Sequence, residues 1–256
     1  MNYFHPKSAA ERYAKGRPEF HSNTIRHIKE YLHLDKKMDK ALDIACGTGL
    51  STKALLEIAD NVFGTDSSKE MLNLAVESEK IHYSMAPAEQ QPFEDSQFDL
   101  ITVSSGVHWF DIDKFLVEAN RILKSNAWLV LYENHFIAEM EGHVNFLDWF
   151  RNVYLKKFSS PPRNNNYPWT NENLVAKNFR LVGEEKFKNS IVLNKKQLAL
   201  YFTTQSNIIA AVENNQTTYE AIEEWLDQEL SAFFDSEDSV RTIFYGNWIK
   251  YIQKGS

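Results

Sequence analysis

Between Ala41 and Tyr132, short apolar runs alternate with longer segments that are apolar on one side only. That is the pattern of strands joined through crossover helices into a parallel sheet. ALDIA (41–45) predicts a first strand, and after a glycine turn Leu50, Ala54, Leu55 and Ile58 fall on one face of a helix over 50–58. NVFGT (61–65) predicts a second strand. Ser67 or Ser68 then caps a helix through Met71, Leu72 and Ala75, and IHYSM (81–85) gives a third strand. Pro87 and Pro92 keep the next segment a loop. FDLITV (98–103) and AWLVLY (127–132) are continuous apolar runs suited to central strands covered on both faces, with a helix over about 111–123 between them.

Outside this region, residues 1–35 read as helical and polar. Residues 139–158 set Phe146, Trp149, Phe150 and Tyr154 at helical spacings ahead of the loop SSPPRNNNYPW. Three later elements complete the pattern: a strand over 181–190, a helix over 218–234 and a last strand over 240–252. The expected fold is α/β, a doubly wound, Rossmann-like, mostly parallel seven-stranded sheet with an added helical cap. It is one domain over 1–256. The core takes about 36–134 and 176–256, and the cap about 1–35 and 135–175, with 196–235 as a further cap segment.

Composition narrows the function. Hydrophobic residues at 43% and charged residues at 25% describe an ordinary globular chain with a core to bury. The balance of 28 Lys and Arg against 35 Asp and Glu, a net charge of -7, lacks the basic excess of a protein held to phosphate backbones, so no nucleic-acid partner is expected. Cys46 is the single cysteine, which excludes an intramolecular disulfide and a cysteine-based zinc site; no metal is expected. No signal-like segment and no run of about 18 apolar residues is present, so the expected location is the cytoplasm, with no membrane partner. Oligomeric state is not legible.

Chemistry concentrates in DIACGTG (43–49), a strand end with an embedded carboxylate running into Gly47, Thr48 and Gly49 and then a helix start. Glycines there let the backbone turn tightly at the C-terminal edge of a parallel sheet, where open α/β sheets bind ligands. A dinucleotide fingerprint wants a third glycine where this chain has Thr52, and Asp43 would repel a pyrophosphate but suits an ammonium group. Asp66, ending the second strand in FGTDSS, is placed to accept both hydroxyls of a ribose. MAPAEQQPF (85–93) supplies a loop to close on a base, with Met71 against one face of it.

These residues resemble the class I S-adenosylmethionine-dependent methyltransferases, in organisation over the whole chain and in motif detail over 41–132. DIACGTG is similar to the first motif of that family, GTDSSKEML to the second, and APAEQQPF to its adenine loop. The resemblance implies S-adenosyl-L-methionine as cofactor and S-adenosyl-L-homocysteine as product. It places Asp43, Ala45, Gly47, Gly49, Asp66, Ser67, Met71, Ala88, Glu89 and Ser104 at the cofactor. SSGVHWFD (104–111) and YAKGRPEF (13–20) resemble the small-molecule branch that includes the trans-aconitate methyltransferases, although Phe20 and His21 stand where that branch has tyrosine and proline. On this reading Tyr13, Arg17, His108 and Trp109 line the substrate pocket. His108 is the candidate catalytic residue, and Tyr13, Trp109 and Phe110 offer aromatic faces to a sulfonium. Arg17 would clamp a carboxylate, making a carboxylic acid one expected acceptor.

Each residue also has a packing role to fill. Asp43 suits a turn cap, Asp66 a helix N-terminus, Cys46 a small turn residue, and Tyr13 with Arg17 an anchor for the first helix. A histidine beside aromatics is as readily a packed core residue. The 146–154 aromatics read as cap packing, and Trp225, Phe233, Phe244 and Trp248 as core. Two other functions fit parts of the pattern: a non-catalytic S-adenosylmethionine-binding sensor or partner protein, and a nicotinamide-dependent oxidoreductase.

Overall fold

The computed structural model describes residues 6–161 and 167–256. They form two compact units, one from residues 20–134, 167–187 and 247–256 and the other from 6–19, 135–161 and 188–246. Helix α1 (Lys7–Gly16) opens the chain in the second of these, and α2 (His21–Tyr31) begins the first. There follow β1 (Met38–Ile44), α3 (Leu50–Ala54) with a 3-10 turn over 55–57, β2 (Ala59–Asp66), α4 (Lys69–Leu72), β3 (Ile81–Met85) and β4 (Phe98–Ser104). Next come α5 (Ile112–Ile122) and β5 (Leu123–Met140). Helices α6 (Phe146–Trp149) and α7 (Leu155–Lys157) are joined by a π-helical turn over 150–154. The chain ends with α8 (Asn171–Val175), β6 (Phe179–Asn194), α9 (Lys195–Thr203), α10 (Ser206–Glu213), α11 (Tyr219–Leu230) and β7 (Val240–Lys254).

The seven strands lie in the order β3-β2-β1-β4-β5-β7-β6. The first five pair in parallel, with Asp43 opposite Gly64 on one side and Thr102 on the other. The sheet is nevertheless mixed rather than mostly parallel, because an antiparallel hairpin completes it. β6 carries the signature of such a strand: exposed and partly buried residues alternate along it, whereas β1 and β4 are continuously buried over 41–44 and 100–103.

Alternation across the strands divides the core of the sheet-bearing unit. Leu42, Ile44, Ile101, Val103, Leu129 and Leu131 pack on one face with Phe115, Leu116, Ala119 and Ile122 of α5. On the other face Ala41, Leu100, Val130 and Tyr132 meet Ile25 and Ile28 of α2 together with Leu55 and Ile58. Ile25 and Ile28 are fully buried, worth about 1.5–3 kcal/mol each, and this burial rather than propensity holds an 11-residue helix.

In the other unit the expected aromatic packing is found. Trp149 stacks on Phe146 at 5.4 Å, and Tyr154 lies 4.7 Å from Phe202, its hydroxyl donating to Asn207 at 3.2 Å. The helix expected over 139–158 is confined to 146–157, because β5 runs on to Met140. Helices α9 and α10 occupy 195–213, where the apolar pattern marked no separate element; the signal was the capping box of Asn194 and Gln197. The asparagines 164–166 of the expected loop lie outside the described residues.

Candidate functional site

Reversal of strand order between β1 and β4 makes a crevice beyond their C-terminal ends, the usual ligand position in an open α/β sheet. Both tips are conformationally unusual. Ala45 (φ 58°) follows β1 and Ser105 (φ 55°) follows β4, each in the left-handed region that costs a residue with a Cβ roughly 1–2 kcal/mol. Gly106 lies against Ala45 so closely that a Cβ on it would come within 2.8 Å of the Ala45 Cβ. Strain gathered at two adjacent strand ends is typical of functional sites.

Asp43 lies beneath this turn and is completely buried. Ser51 and Thr52 of α3 donate to its Oδ2 at 2.6 and 2.8 Å, and Thr102 of β4 donates to Oδ1 at 3.0 Å. Burial pushes its pKa up to about 6 against the lowering by those three hydroxyls, with Asp66 nearby adding to the rise. The expectation that Asp43 meets a ligand ammonium directly is therefore corrected: its oxygens serve the turn, tying β1, α3 and β4 together. The three hydroxyl donors were not singled out from sequence, since only the register of β4 on β1 brings Thr102 to Asp43.

The glycines also have local reasons. Gly47 (φ 56°) and Gly49 (φ 78°) turn the chain into α3, and at Gly49 a Cβ would sit 2.2 Å from the Tyr83 hydroxyl. That hydroxyl donates to the Val76 carbonyl at 3.0 Å. Cys46 is buried, its thiol pKa pushed well up by burial and then by Asp43 and Asp66, in keeping with a small turn residue and no nucleophile.

Asp66 joins the tips of β1 and β2. Gly47 N–H donates to Oδ2 at 2.9 Å and Ser68 N–H to Oδ1 at 2.8 Å. These backbone donors fix a half-buried carboxylate at the strand tip. Ser67 is exposed beside it. Ser68 is the residue that caps α4, its hydroxyl accepting from Met71 N–H at 3.3 Å, and Met71 is buried.

The loop after β3 is built as a rigid piece. Ala88 is buried in the α5-side core, and Glu89 Oε1 accepts from the Asp111 N–H at 2.7 Å, so Glu89 fastens this loop to the start of α5. Arg121 donates to the carbonyls of Phe93 and Gln91 at 2.7 and 3.2 Å and pairs with Glu118 and Asp95. Glu118 Oε1 accepts from Gln91 N–H at 2.6 Å, and its pKa is lowered first by Arg121.

Ser104 ends β4, paired in register with Tyr132. His108 and Trp109 follow in a short 3-10 turn, their rings 4.7 Å apart, with Trp109 39% exposed. Phe110 turns inward onto Phe115 at 5.0 Å, so of the expected sulfonium-facing aromatics it is the one engaged in core packing. Tyr13 and Arg17 belong to the other unit. There the Arg17 guanidinium lies over the Tyr13 ring at 4.7 Å and the Tyr201 ring at 5.4 Å, and reaches the Thr204 carbonyl at 3.5 Å.

Residues 42–131 match the family described as Methyltransferase domain. A protein of Dictyostelium discoideum assigned as a methyltransferase is 30% identical over 125 residues, 49% of this chain and 47% of that protein. The chain thus spans about half the length of the curated relatives it matches. A solved structure assigned as a type II methyltransferase from Anaeromyxobacter dehalogenans has a TM-score of 0.70 at 18% identity, covering 93% of this chain and 97% of that one. Phosphoethanolamine N-methyltransferase 2 of Haemonchus contortus, solved with phosphomonomethylethanolamine and S-adenosylhomocysteine, has a TM-score of 0.53 at 15% identity, over 100% of this chain and 60% of that one. The domain match and the relative are thus similarities over part of the chain, and the solved structures share its fold.

Proposed function

We propose that the protein transfers a methyl group from S-adenosyl-L-methionine to a small-molecule acceptor, releasing S-adenosyl-L-homocysteine. The observation that carries this reading is Asp66: a half-buried carboxylate at the tip of β2, fixed by the Gly47 and Ser68 N–H groups beside the switch point. Held from behind in this way, it suits a vicinal diol, and a ribose is the diol expected there. Ala45, Gly47 and Gly49 supply bare main chain at the β1 tip, Ser67 and Met71 flank Asp66, and Ala88 and Glu89 present the loop for an adenine. Ser104 lies across the switch point. Asp43 acts on the cofactor through the turn it holds.

The cofactor supplies an activated methyl group. What remains for the chain is to orient an acceptor in a dry site, a gain worth roughly 7–11 kcal/mol at best. His108 and Trp109 are the proposed acceptor residues of the sheet-bearing unit, as the resemblance to the small-molecule branch implies. A soluble cytoplasmic setting belongs to the same proposal; among the described residues no helix is long and apolar enough to cross a membrane.

Calorimetric titration with S-adenosyl-L-methionine, S-adenosyl-L-homocysteine and NAD tests the reading. Micromolar binding of the first two and none of NAD is the expected result. Binding of NAD alone would replace it with the oxidoreductase. Binding without acceptor-dependent release of homocysteine product would leave a sensor.

A further inference from the structure

The last parallel pairing of β4 with β5 joins Ser104 to Tyr132, and the Ser105 N–H donates to the Tyr132 carbonyl at 2.9 Å. Glu133 is the next residue of β5, level with the point where β4 gives way to the turn bearing His108 and Trp109. Side chains alternate along the strand: Val130 and Tyr132 belong to the α2-side core, Leu129 and Leu131 to the α5-side core, and Glu133 continues the second series. Its partner agrees with that placement. Trp248 of β7 packs against the α5-side core, and its indole Nε1–H donates to Glu133 Oε2 at 3.1 Å. Val107 and Phe110, which bracket His108 and Trp109, pack against the same core, as do Tyr167 and Trp169, whose rings lie 4.8 Å apart.

Glu133 is half-buried, and among the described residues its carboxylate has the Trp248 indole as hydrogen-bond partner and no ion pair. The lysine of that face on β7, Lys250, lies 5.9 Å from the Trp248 ring and is paired with Glu184 of β6. A carboxylate set among aromatic rings favours a cation twice over, through its own charge and through the negative faces of the rings. An anion would approach a like charge with less water to screen it. A neutral alcohol gains only an ordinary hydrogen bond there. Position counts as much as charge: Glu133 stands on the strand beside β4, whose tip leads into the candidate acceptor turn.

We propose that Glu133, held by Trp248, binds an ammonium group of the methyl acceptor, so that the acceptor belongs to the amines and not to the simple carboxylic acids. No proton or bond moves at Glu133; the contact orients the acceptor against the turn that carries His108 and Trp109. Glu133 is thus a specificity-determining residue, and the assignment rests on the methyltransferase reading, which it narrows to one substrate class. Neither partner stands out in the sequence for this work, since Trp248 reads as core and Glu133 falls just beyond the apolar run AWLVLY.

The test uses the full chain saturated with S-adenosyl-L-homocysteine. Calorimetry first establishes that the wild type, Glu133→Gln and Glu133→Asp bind the nucleoside alike; failure of the wild type to bind it would sink the methyltransferase reading itself. Benzylamine, butylamine and cyclohexylamine are then titrated at neutral pH, with benzyl alcohol and benzoate as the neutral and anionic contrasts. At least one amine should bind the wild type and bind Glu133→Gln about tenfold more weakly, with Glu133→Asp in between. The indole N–H signal of Trp248, assigned from Trp248→Phe, should move with that amine and stay in place with benzoate. Should a variant lose the nucleoside, the Trp248 signal of the wild type decides alone. Silence towards all three amines, equal affinity of the glutamine variant, an unmoved Trp248 signal, or benzoate binding as tightly as benzylamine would each overturn the assignment.

Discussion

At the scale of single residues, two carboxylates sit about one strand apart and do different work. Asp66 is half-exposed and braced by backbone donors, so Asp66→Ala should weaken S-adenosyl-L-homocysteine binding by about 1–3 kcal/mol, roughly 5- to 150-fold, in calorimetry, with the fold intact. An unchanged affinity would move the ribose site elsewhere. Asp43 is sealed, and its folded pKa of about 6 lies above the usual 3.8. A carboxyl with a raised folded pKa binds its proton more tightly when folded. Its stabilising contribution is therefore present below about pH 4 and lost as pH rises through about 6. Urea unfolding of wild type and Asp43→Asn at pH 4.5 and 7.5 should show wild type losing ground to the variant by about 2 kcal/mol across that interval, at 1.36 kcal/mol per pK unit. The sequence made Asp43 conspicuous but not its burial, because one of its three hydroxyl donors is 59 residues away along the chain.

At the scale of elements, the loop after β3 owes its shape to a helix it does not adjoin in sequence. Arg121 and Glu118 of α5 hold Gln91, Phe93 and Asp95, and Glu89 reaches the cap of the same helix. Arg121→Ala should raise hydrogen exchange over residues 90–97 ahead of the strands and lower affinity for the cofactor product, at a cost of about 1 kcal/mol in global stability, since the guanidinium is partly exposed. Exchange rising uniformly over the chain would mean that Arg121 supports the core and not the loop. The first five strands were legible because buried parallel strands are unbroken apolar runs with few other readings. The final hairpin was legible as two strands but not in its direction, for edge alternation such as that of β6 is compatible with several neighbours until pairing is known. Helix α10 escaped notice because SNIIAAVE is apolar over most of its surface, giving no one-sided stripe.

For the molecule as a whole, composition and motif together point to a nucleoside ligand without phosphates, and thermal unfolding offers a direct check. At a hundredfold excess over its Kd, S-adenosyl-L-homocysteine should stabilise the folded chain by about 2.7 kcal/mol, which for a chain of this size is on the order of 5–10 °C in Tm. NAD at the same concentration should leave Tm in place, and an equal rise with both would favour a generic nucleotide cleft. The candidate site was marked out from 43 to 110 because its residues are gathered at successive strand ends. His21 stood out only as a departure from a pattern, and its contact with Tyr132 of β5 lies over a hundred residues further on.

Tyr83 closes the floor of the turn by filling the hollow left by two glycines. A Cβ on Gly64 would meet its ring at 2.7 Å, and one on Gly49 its hydroxyl. Positions 64 and 83 are consequently heritable only as a pair. Gly64 has no left-handed backbone to defend, so Gly64→Ala should be destabilising beside tyrosine and largely tolerated beside Tyr83→Ala, a coupling that a double-mutant cycle in urea would read. A lineage could then trade the bulk from one strand to its neighbour, but only by way of an intermediate that packs badly.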